Sequence, residues 1–328
     1  MEQRHIGKNG PLVSAIGLGC MGMSMGYGKG KDAESIATLK RAIDLGVTLI
    51  DTADMYGWGH NEELIGNILK THRNQITLAT KMGFVKSDGN NDYKYSLDGS
   101  PAYIKKACDA SLKRLGTEII DLYYLHRVDP NTPIEDSIGA MADLIKAGKI
   151  RHIGISEVRP ETIRRAAAIH PITAVQTEYS LWERNPEKEI IPACEELGIG
   201  FVAYSPLGRG FLSGTIDNVE ALEAEDCRRI LPRFQGEHFV KNKKLLDGFS
   251  QIAKQKQCSM TQLALAWLLT KNKNIISIPG TKQVKYLEEN IGATQLRLNQ
   301  EDMQNLDVLF PLDIASGNKY PEVFQCEA

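Results

Sequence analysis

The sequence has little that would link it to a membrane, a nucleic acid or an oxidising compartment. No stretch approaches about 18 uncharged apolar residues, and the N-terminus lacks the apolar run of a signal peptide. The six cysteines are scattered without a CxxC pair, which argues against a disulfide framework and a zinc site. A net charge of −2 gives no indication of a nucleic-acid or membrane partner. We therefore expect a cytoplasmic protein with small-molecule partners. The sequence does not indicate which oligomeric state it adopts.

What the sequence does contain is an alternation of strand-like and helix-like segments. The strand-like runs lie near residues 15–19, 47–52, 76–81, 120–126, 151–156, 173–178, 200–205 and 275–279. Segments with apolar residues three and four apart cover about 33–45, 62–71, 101–115, 134–147, 160–169, 187–197, 242–256 and 261–271. Eight strands that are each followed by a helix are typical of a closed (β/α)8 TIM barrel. We predict an α/β fold with a single domain over residues 1–328.

Additions to the barrel are expected at both ends of the chain and after two strands. Asn9-Gly10 between short apolar runs predicts an N-terminal β-hairpin within residues 1–14. Long loops are predicted after the third strand, after the seventh strand and in the C-terminal tail, at 82–100, 207–240 and 306–328. We interpret the first as a mobile flap. The second carries several arginines and is either a lid over an anion or a solvated surface loop.

A glycine motif near the N-terminus raises an alternative fold. Residues 17–22 match G-x-G-x-x-G, which is the fingerprint of a doubly wound dinucleotide-binding domain. That fingerprint needs a helix that opens directly on the glycines, whereas Gly26, Gly28 and Gly30 continue the loop here. The barrel is therefore favoured, and this loop is interpreted as bare backbone that approaches a ligand.

Ionisable residues stand at the ends of three consecutive predicted strands. Asp51 closes the run at 47–52 and Tyr56 follows five residues later, while Lys81 and His126 end the next two strands. Taken singly, each has an ordinary structural interpretation, such as a turn aspartate or a histidine bonded within the core. In a barrel, however, the C-terminal ends of all strands surround one opening. The four side chains are therefore predicted to converge.

Together these four groups suit proton transfer coupled to hydride transfer. A tyrosine hydroxyl titrates at about 10 in water, so a tyrosine that acts as a general acid benefits from a nearby cation. Lys81 can lower the pKa of Tyr56, Asp51 can hold the ammonium, and His126 can orient a carbonyl oxygen. The hydride itself must come from a nicotinamide or a flavin.

The later strands carry groups that suit such a cofactor. Ser156 and Gln176 can bond a carboxamide, the Tyr204 ring can stack on a planar heterocycle, and the Ser205 hydroxyl can meet a phosphate oxygen. Residues 278–283 follow the last strand, where barrels commonly place phosphate sites. Their order around one rim supports a cofactor site.

At this point the sequence resembles the aldo-keto reductases, in particular their plant and bacterial branch. The match extends over residues 16–311. Its most specific motifs, in the order of the family, are 49–57 (LIDTADMYG), 79–81 (ATK), 121–126 (DLYYLH), 154–156 (GIS), Gln176, 204–210 (YSPLGRG), 278–282 (IPGTK) and 289–290 (EN).

The resemblance implies a metal-free oxidoreductase that reduces aldehydes and ketones reversibly with NADP(H). Tyr56 would donate the proton, Lys81 and Asp51 would adjust the pKa of Tyr56, and His126 would orient the carbonyl. The implied cofactor-binding residues are Met21, Asp51, Ser156, Gln176, Tyr204, Ser205, Leu207, Arg209, Gly280, Thr281, Lys282, Glu289 and Asn290.

The sequence departs from the family pattern at two positions. Glu157 stands where many members have asparagine, and a carboxylate cannot donate a hydrogen bond to the carboxamide oxygen. Gly280 stands where many members have lysine. A 2′-phosphate prefers a cation, so Lys282, helped by Arg209 or Arg233, is the expected source of NADP preference.

Two other functions are compatible with parts of the sequence. One is a cofactor-sensing regulatory subunit with little turnover, because the family also resembles the β-subunits of potassium channels. The other is a barrel isomerase or aldolase that uses Lys81 as a Schiff base. Four large apolar residues either shape a pocket for medium-sized aldehydes or pack in the core. They are Trp58, Met82, Phe84 and Trp182.

Overall fold

The protein forms the predicted barrel, seen in a computed structural model that describes residues 1–86 and 95–321. The parallel strands are β1 Leu18–Gly19, β2 Leu49–Asp51, β3 Thr77–Met82, β4 Ile120–Leu125, β5 Ile150–Ser156, β6 Ala174–Glu178, β7 Gly200–Tyr204 and β8 Ile275–Ile278. Each pairs with its neighbour in sequence. The Gly17 amide donates to the Ser277 carbonyl at 2.8 Å, and the Ser277 amide donates to the Ala15 carbonyl at 3.1 Å, which closes the ring. The fold prediction is confirmed.

Helices surround the strands. They are α1 Asp32–Asp44, α2 His60–His72, α3 Pro101–Leu115, α4 Ile134–Lys146, α5 Pro160–Ile169, α6 Ile190–Leu197, α7 Gly236–Lys243, α8 Leu245–Gln255, α9 Met260–Lys271, α10 Val284–Gly292 and α11 Gln300–Leu309. Residues of β2, β4 and β6 are buried throughout, because both faces of a wrapped parallel sheet are covered.

The helices differ from the sequence prediction in three places. The helix predicted over 242–256 is divided into α7 and α8, and α7 begins inside the loop predicted over 207–240. The sequence analysis did not predict α10. It also missed α11, which occupies the start of the tail predicted over 306–328, so the irregular segment begins at Phe310. Both missed helices bury few residues: α10 buries Leu287 and Asn290, and α11 buries Leu306. Each therefore presents only a narrow buried face.

The N-terminal hairpin is present and closes one end of the barrel. Its strands Gln3–His5 and Leu12–Ser14 pair in antiparallel register. Ile6 and Val13 pack against the side chains that fill the barrel interior, and the Lys8 amide donates to the Gly198 carbonyl at 2.8 Å. The hairpin therefore acts as a plug that covers the N-terminal ends of the strands.

The segment predicted as a flap after β3 contains a second pair of antiparallel strands. Phe84–Lys86 pairs with Tyr95–Leu97 in antiparallel register, while 87–94 lie outside the described residues. The loop after β7 contains short 3-10 turns at Phe211–Ser213, Val219–Ala221, Cys227–Ile230 and Pro232–Phe234. Within the described ranges, no helix has the length and apolar character needed to cross a membrane.

The hairpin plug can be tested at Gly7, which has a φ of +65°. A Cβ at this position would lie 2.6 Å from the Gly200 nitrogen. Gly46 also has a positive φ (+83°), but its Cβ would meet nothing within 4 Å. We expect Gly46→Ala to cost about 1–2 kcal/mol from backbone strain alone. Gly7→Ala should cost about 1–3 kcal/mol more, from overpacking.

The measurement is the chemical denaturation of both variants beside the wild type. If Gly7→Ala unfolds at the same denaturant concentration as Gly46→Ala, the hairpin does not pack closely against the barrel at Gly200.

Candidate active site

The four polar residues predicted to converge do so at the C-terminal end of the barrel. Lys81 is fully buried and forms an ion pair with Asp51. Its Nζ also donates to the Thr52 carbonyl at 2.8 Å and to the Tyr56 hydroxyl at 3.5 Å. The Tyr56 and His126 rings lie edge to face with their centroids 5.9 Å apart. The structure therefore joins a phenol, an ammonium, a carboxylate and an imidazole in one group.

The pKa of Tyr56 is raised above its ordinary value, where the sequence analysis expected Lys81 to lower it. Burial is the largest effect and raises the pKa, while the Lys81 ammonium is the strongest opposing influence. For Lys81, burial lowers the pKa, but the negative charge of Asp51 and the hydrogen bonds to Asp51 and Tyr56 outweigh it, and the pKa is raised. The phenol therefore keeps its proton beside a permanent cation.

His126 is neutral in this environment. Burial lowers its pKa well below the ordinary value, and the positive charges of Arg127 and Lys81 lower it further. The Nδ1 atom is buried and has no hydrogen-bond partner among the described residues. A neutral imidazole has one donor and one acceptor nitrogen, so this ring can donate to an oxygen without carrying charge.

Gln176 occupies an unexpected position in this network. Its Nε2 donates to Asp51 Oδ2 at 2.8 Å, so the two carboxylate oxygens of Asp51 are bonded to Gln176 and Lys81. The sequence analysis assigned Gln176 only to a carboxamide. The contact between β6 and β2 spans 125 positions of sequence, and no local pattern signals it.

A cavity of about 600 Å³ opens at this end of the barrel. Every predicted catalytic or cofactor-binding residue lines it except Lys81, whose ammonium instead bonds Asp51 and Tyr56. The lining residues from that set are Met21, Asp51, Tyr56, His126, Ser156, Gln176, Tyr204, Ser205, Leu207, Arg209, Gly280, Thr281, Lys282, Glu289 and Asn290. Positions from 21 to 290 thus share one cavity, whose volume is ordinary for a cofactor site.

The three basic residues that were expected at a cofactor phosphate have different surroundings. Arg209 is buried and makes a bidentate ion pair with Glu178 at 2.8 and 2.6 Å. Lys282 lines the cavity and donates to the carbonyls of Tyr27 and Lys29 at 2.8 and 3.0 Å. Arg233 is not a lining residue, because it pairs with Glu183 at 2.7 Å and stands over the Trp182 ring. Of the two arginines expected to help Lys282, Arg209 therefore lies at the cavity and Arg233 does not.

Two loops meet beside the cavity, and the sequence analysis did not foresee their contact. The Cys227 amide donates to the Gly26 carbonyl at 2.9 Å, and the Arg228 guanidinium lies 5.1 Å from the Tyr27 ring centroid. Tyr27, Cys227 and Arg228 all line the cavity. The glycine-rich loop and the arginine-bearing loop after β7 therefore meet at the cavity.

The apolar residues expected in a substrate pocket are divided between the cavity and the core. Phe84 lines the cavity next to His126, with ring centroids 4.8 Å apart. Trp182 is buried instead and stacks on Phe211 with a centroid distance of 4.0 Å. Trp58 and Met82 do not line the cavity either. Lining residues that the sequence analysis did not name include Met25, Met55, Tyr95 and Arg127. Within the described chain, no group of three potential metal ligands occurs.

The barrel and the groups at its open end define a class of protein, a (β/α)8 oxidoreductase. The chain belongs to the Aldo/keto reductase family, whose sequence model matches residues 15–310. A probable aldo-keto reductase from Glycine max is 45% identical over 317 residues, which cover 96% of this chain and 90% of the relative. Membership makes this protein an oxidoreductase that acts on carbonyl compounds, in a family that uses nicotinamide cofactors.

Solved structures agree with this assignment. A glycerol dehydrogenase from Gluconobacter oxydans superposes with a TM-score of 0.86 at 30% identity, covering 99% of both chains. An aldo-keto reductase from Bacillus halodurans in its holo form gives a TM-score of 0.77 at 30% identity, covering 99% of this chain and all of the other.

The neutral state of His126 predicts a dependence of stability on pH. An unfolded histidine binds its proton at about pH 6.5, whereas the folded pKa is well below that value. Neutral His126 therefore stabilises the fold fully above about pH 6.5, and this contribution is lost as the pH falls below it. As the pH falls below about 6.5, we expect the free energy of unfolding to decrease less steeply for His126→Gln than for the wild type. The two slopes should differ by up to about 1.4 kcal/mol per pH unit.

Urea denaturation between pH 5 and 8 tests this expectation. The exposed His5 provides the control, since His5→Gln should follow the wild-type curve. Parallel curves for His126→Gln and the wild type would contradict a depressed pKa.

Proposed function

We propose that the protein reduces aldehydes and ketones to alcohols with NADPH, reversibly, and that Tyr56 is the general acid. The observation that carries the proposal is the contact of the Lys81 ammonium with both Asp51 and the Tyr56 hydroxyl. A phenol that keeps its proton, next to a fixed cation, suits donation of that proton to an oxygen as negative charge develops there.

The proposed reduction of a carbonyl group consists of two transfers, one of a hydride and one of a proton. A nicotinamide held by Ser156, Gln176 and Tyr204 would supply the hydride for the carbonyl carbon. Tyr56 gives its proton to the carbonyl oxygen, and the Lys81 ammonium stabilises the phenolate that remains. His126 donates a hydrogen bond that holds the same oxygen. In the reverse direction the phenolate takes the proton of an alcohol, and one of the structural relatives is named a glycerol dehydrogenase.

The donor set of the cavity fits a nicotinamide dinucleotide. Ser156 and Gln176 offer an alcohol and an amide for the carboxamide, and the Tyr204 ring offers a face for the nicotinamide. Cations for the phosphates are present at Arg209 and Lys282. We assign the other cavity residues of the predicted set to the pyrophosphate and the adenosine end, namely Met21, Asp51, Ser205, Leu207, Gly280, Thr281, Glu289 and Asn290.

The surroundings of Lys81 and the intact four-residue group favour this function over the alternatives. A Schiff-base lysine must lose its proton, but Lys81 is ion-paired with Asp51 and its pKa is raised. A regulatory subunit without turnover would not need the complete proton-donor group. A small-molecule carbonyl compound is therefore the proposed substrate, and the apolar wall formed by Met25, Met55 and Phe84 suits an apolar body.

Replacement of Tyr56 by phenylalanine tests the acid directly. We expect Tyr56→Phe to lower carbonyl reduction by about 100- to 10,000-fold, because the proton donor is removed, while NADPH binding is retained. The matched control is Tyr123→Phe, which removes a buried hydroxyl that has no hydrogen-bond partner among the described residues. Near wild-type turnover of Tyr56→Phe with a panel of aldehydes would refute the assignment.

The preference for NADPH is tested at Lys282. An ammonium has three N–H donors, of which two already bond the carbonyls of Tyr27 and Lys29, so one can meet a 2′-phosphate. We expect Lys282→Met to reduce the ratio of NADPH to NADH affinity by about tenfold or more. The control is Lys285→Met, which removes a nearby lysine that does not line the cavity. Equal weakening of both cofactors would contradict this role.

A further inference from the structure

The C-terminal segment reaches the site through Lys319 and Tyr320. Lys319 Nζ lies 2.6 Å from Glu157 Oε2, in an ion pair whose glutamate side chain is only 2% exposed. The Tyr320 hydroxyl lies 3.0 Å from that of Tyr204, and the Arg209 guanidinium lies 4.9 Å from the Tyr320 ring centroid. Tyr320 also lines the cavity. Two adjacent tail residues thus contact three positions around the proposed cofactor site.

These contacts explain the departure at Glu157. Its backbone has a φ of +53°, a region that asparagine adopts more readily than glutamate. One carboxylate oxygen accepts from the Glu178 amide at 2.9 Å and the other from Lys319. Burial raises the pKa of Glu157, but Lys319, with help from Arg127, brings it to about 2. Glu157 is therefore a charged anchor whose two oxygens are both engaged, and it is not left to bind a carboxamide.

The segment has separate attachments before it reaches the cavity. The Ser316 amide donates to Asn242 Oδ1 at 2.8 Å, and Asn242 Nδ2 donates to the Ser316 carbonyl at 3.0 Å. Lys188 pairs with Asp313 at 2.9 Å on the surface, where both side chains are exposed. Because Ser316 is held by Asn242 of α7, Tyr320 can leave the cavity while the earlier part of the segment stays in place.

We propose that the Lys319–Glu157 ion pair is a latch that holds Tyr320 against Tyr204 and Arg209 and slows the release of the nicotinamide cofactor. Lys319 is then a positioning residue, since it acts through Tyr320 on the ring that stacks on the nicotinamide. The inference rests on the proposed function. Opening the latch separates a buried ion pair, so it should limit how fast the cofactor leaves.

The test measures NADPH release from the full-length protein by stopped-flow fluorescence. We expect Lys319→Met to raise the dissociation rate by about tenfold or more, without a fall in kcat, and Lys319→Arg to restore most of the wild-type rate. Glu157→Gln should act in the same way, and the double variant should release NADPH no faster than the quicker single variant. Thermal unfolding of each variant verifies that it is folded.

The exposed pair on the same segment gives the matched control. Lys188→Met removes the contact with Asp313 and should leave the rate of NADPH release unchanged. An equal acceleration in Lys188→Met, or additive effects of the two latch substitutions, would overturn the latch. So would a wild-type release rate in Lys319→Met. If the wild-type protein binds neither NADPH nor NADH, the proposed function itself fails, which is a different outcome.

Discussion

A lysine buried at the open end of the barrel imposes the strictest constraint on this structure. Removing a charge from water is costly unless the charge is paired and its remaining donors are bonded. Lys81 meets this condition through Asp51, the Thr52 carbonyl and the Tyr56 hydroxyl. The second oxygen of Asp51 is in turn bonded by Gln176. Strands β2, β3 and β6 must therefore keep their register, or a charge would be left buried without a partner.

The barrel supplies that register and also decides where chemistry can occur. The hairpin fills the N-terminal end with Ile6 and Val13, and the backbone bonds between Gly17 and Ser277 close the ring. Parallel strands then present all their C-terminal ends to one opening. Residues as distant in sequence as Met21 and Asn290 line the same cavity for this reason.

Most of the framework could be predicted because strands covered on both faces appear as continuous apolar runs that end in a polar residue. The runs ending at Asp51, Lys81 and His126 gave both the strands and the convergent group. Helices α10 and α11 were missed because their buried faces are narrow. The direction of the Tyr56 pKa was also missed, since it depends on burial, which the sequence does not contain. The contact of Lys319 with Glu157 joins positions 162 residues apart, and only the folded chain reveals it.

The opposing influences on Tyr56 give the site a physical logic. Burial disfavours the phenolate, so the proton stays on the hydroxyl, whereas Lys81 favours the phenolate that the proposed proton transfer would leave. If burial acted alone, the proton would be held too firmly, and if the cation acted alone, the proton would be lost too early. A site that balances the two can donate a proton to a carbonyl and accept one from an alcohol. Such a balance needs a cavity wall that keeps water out, and Tyr320 belongs to that wall.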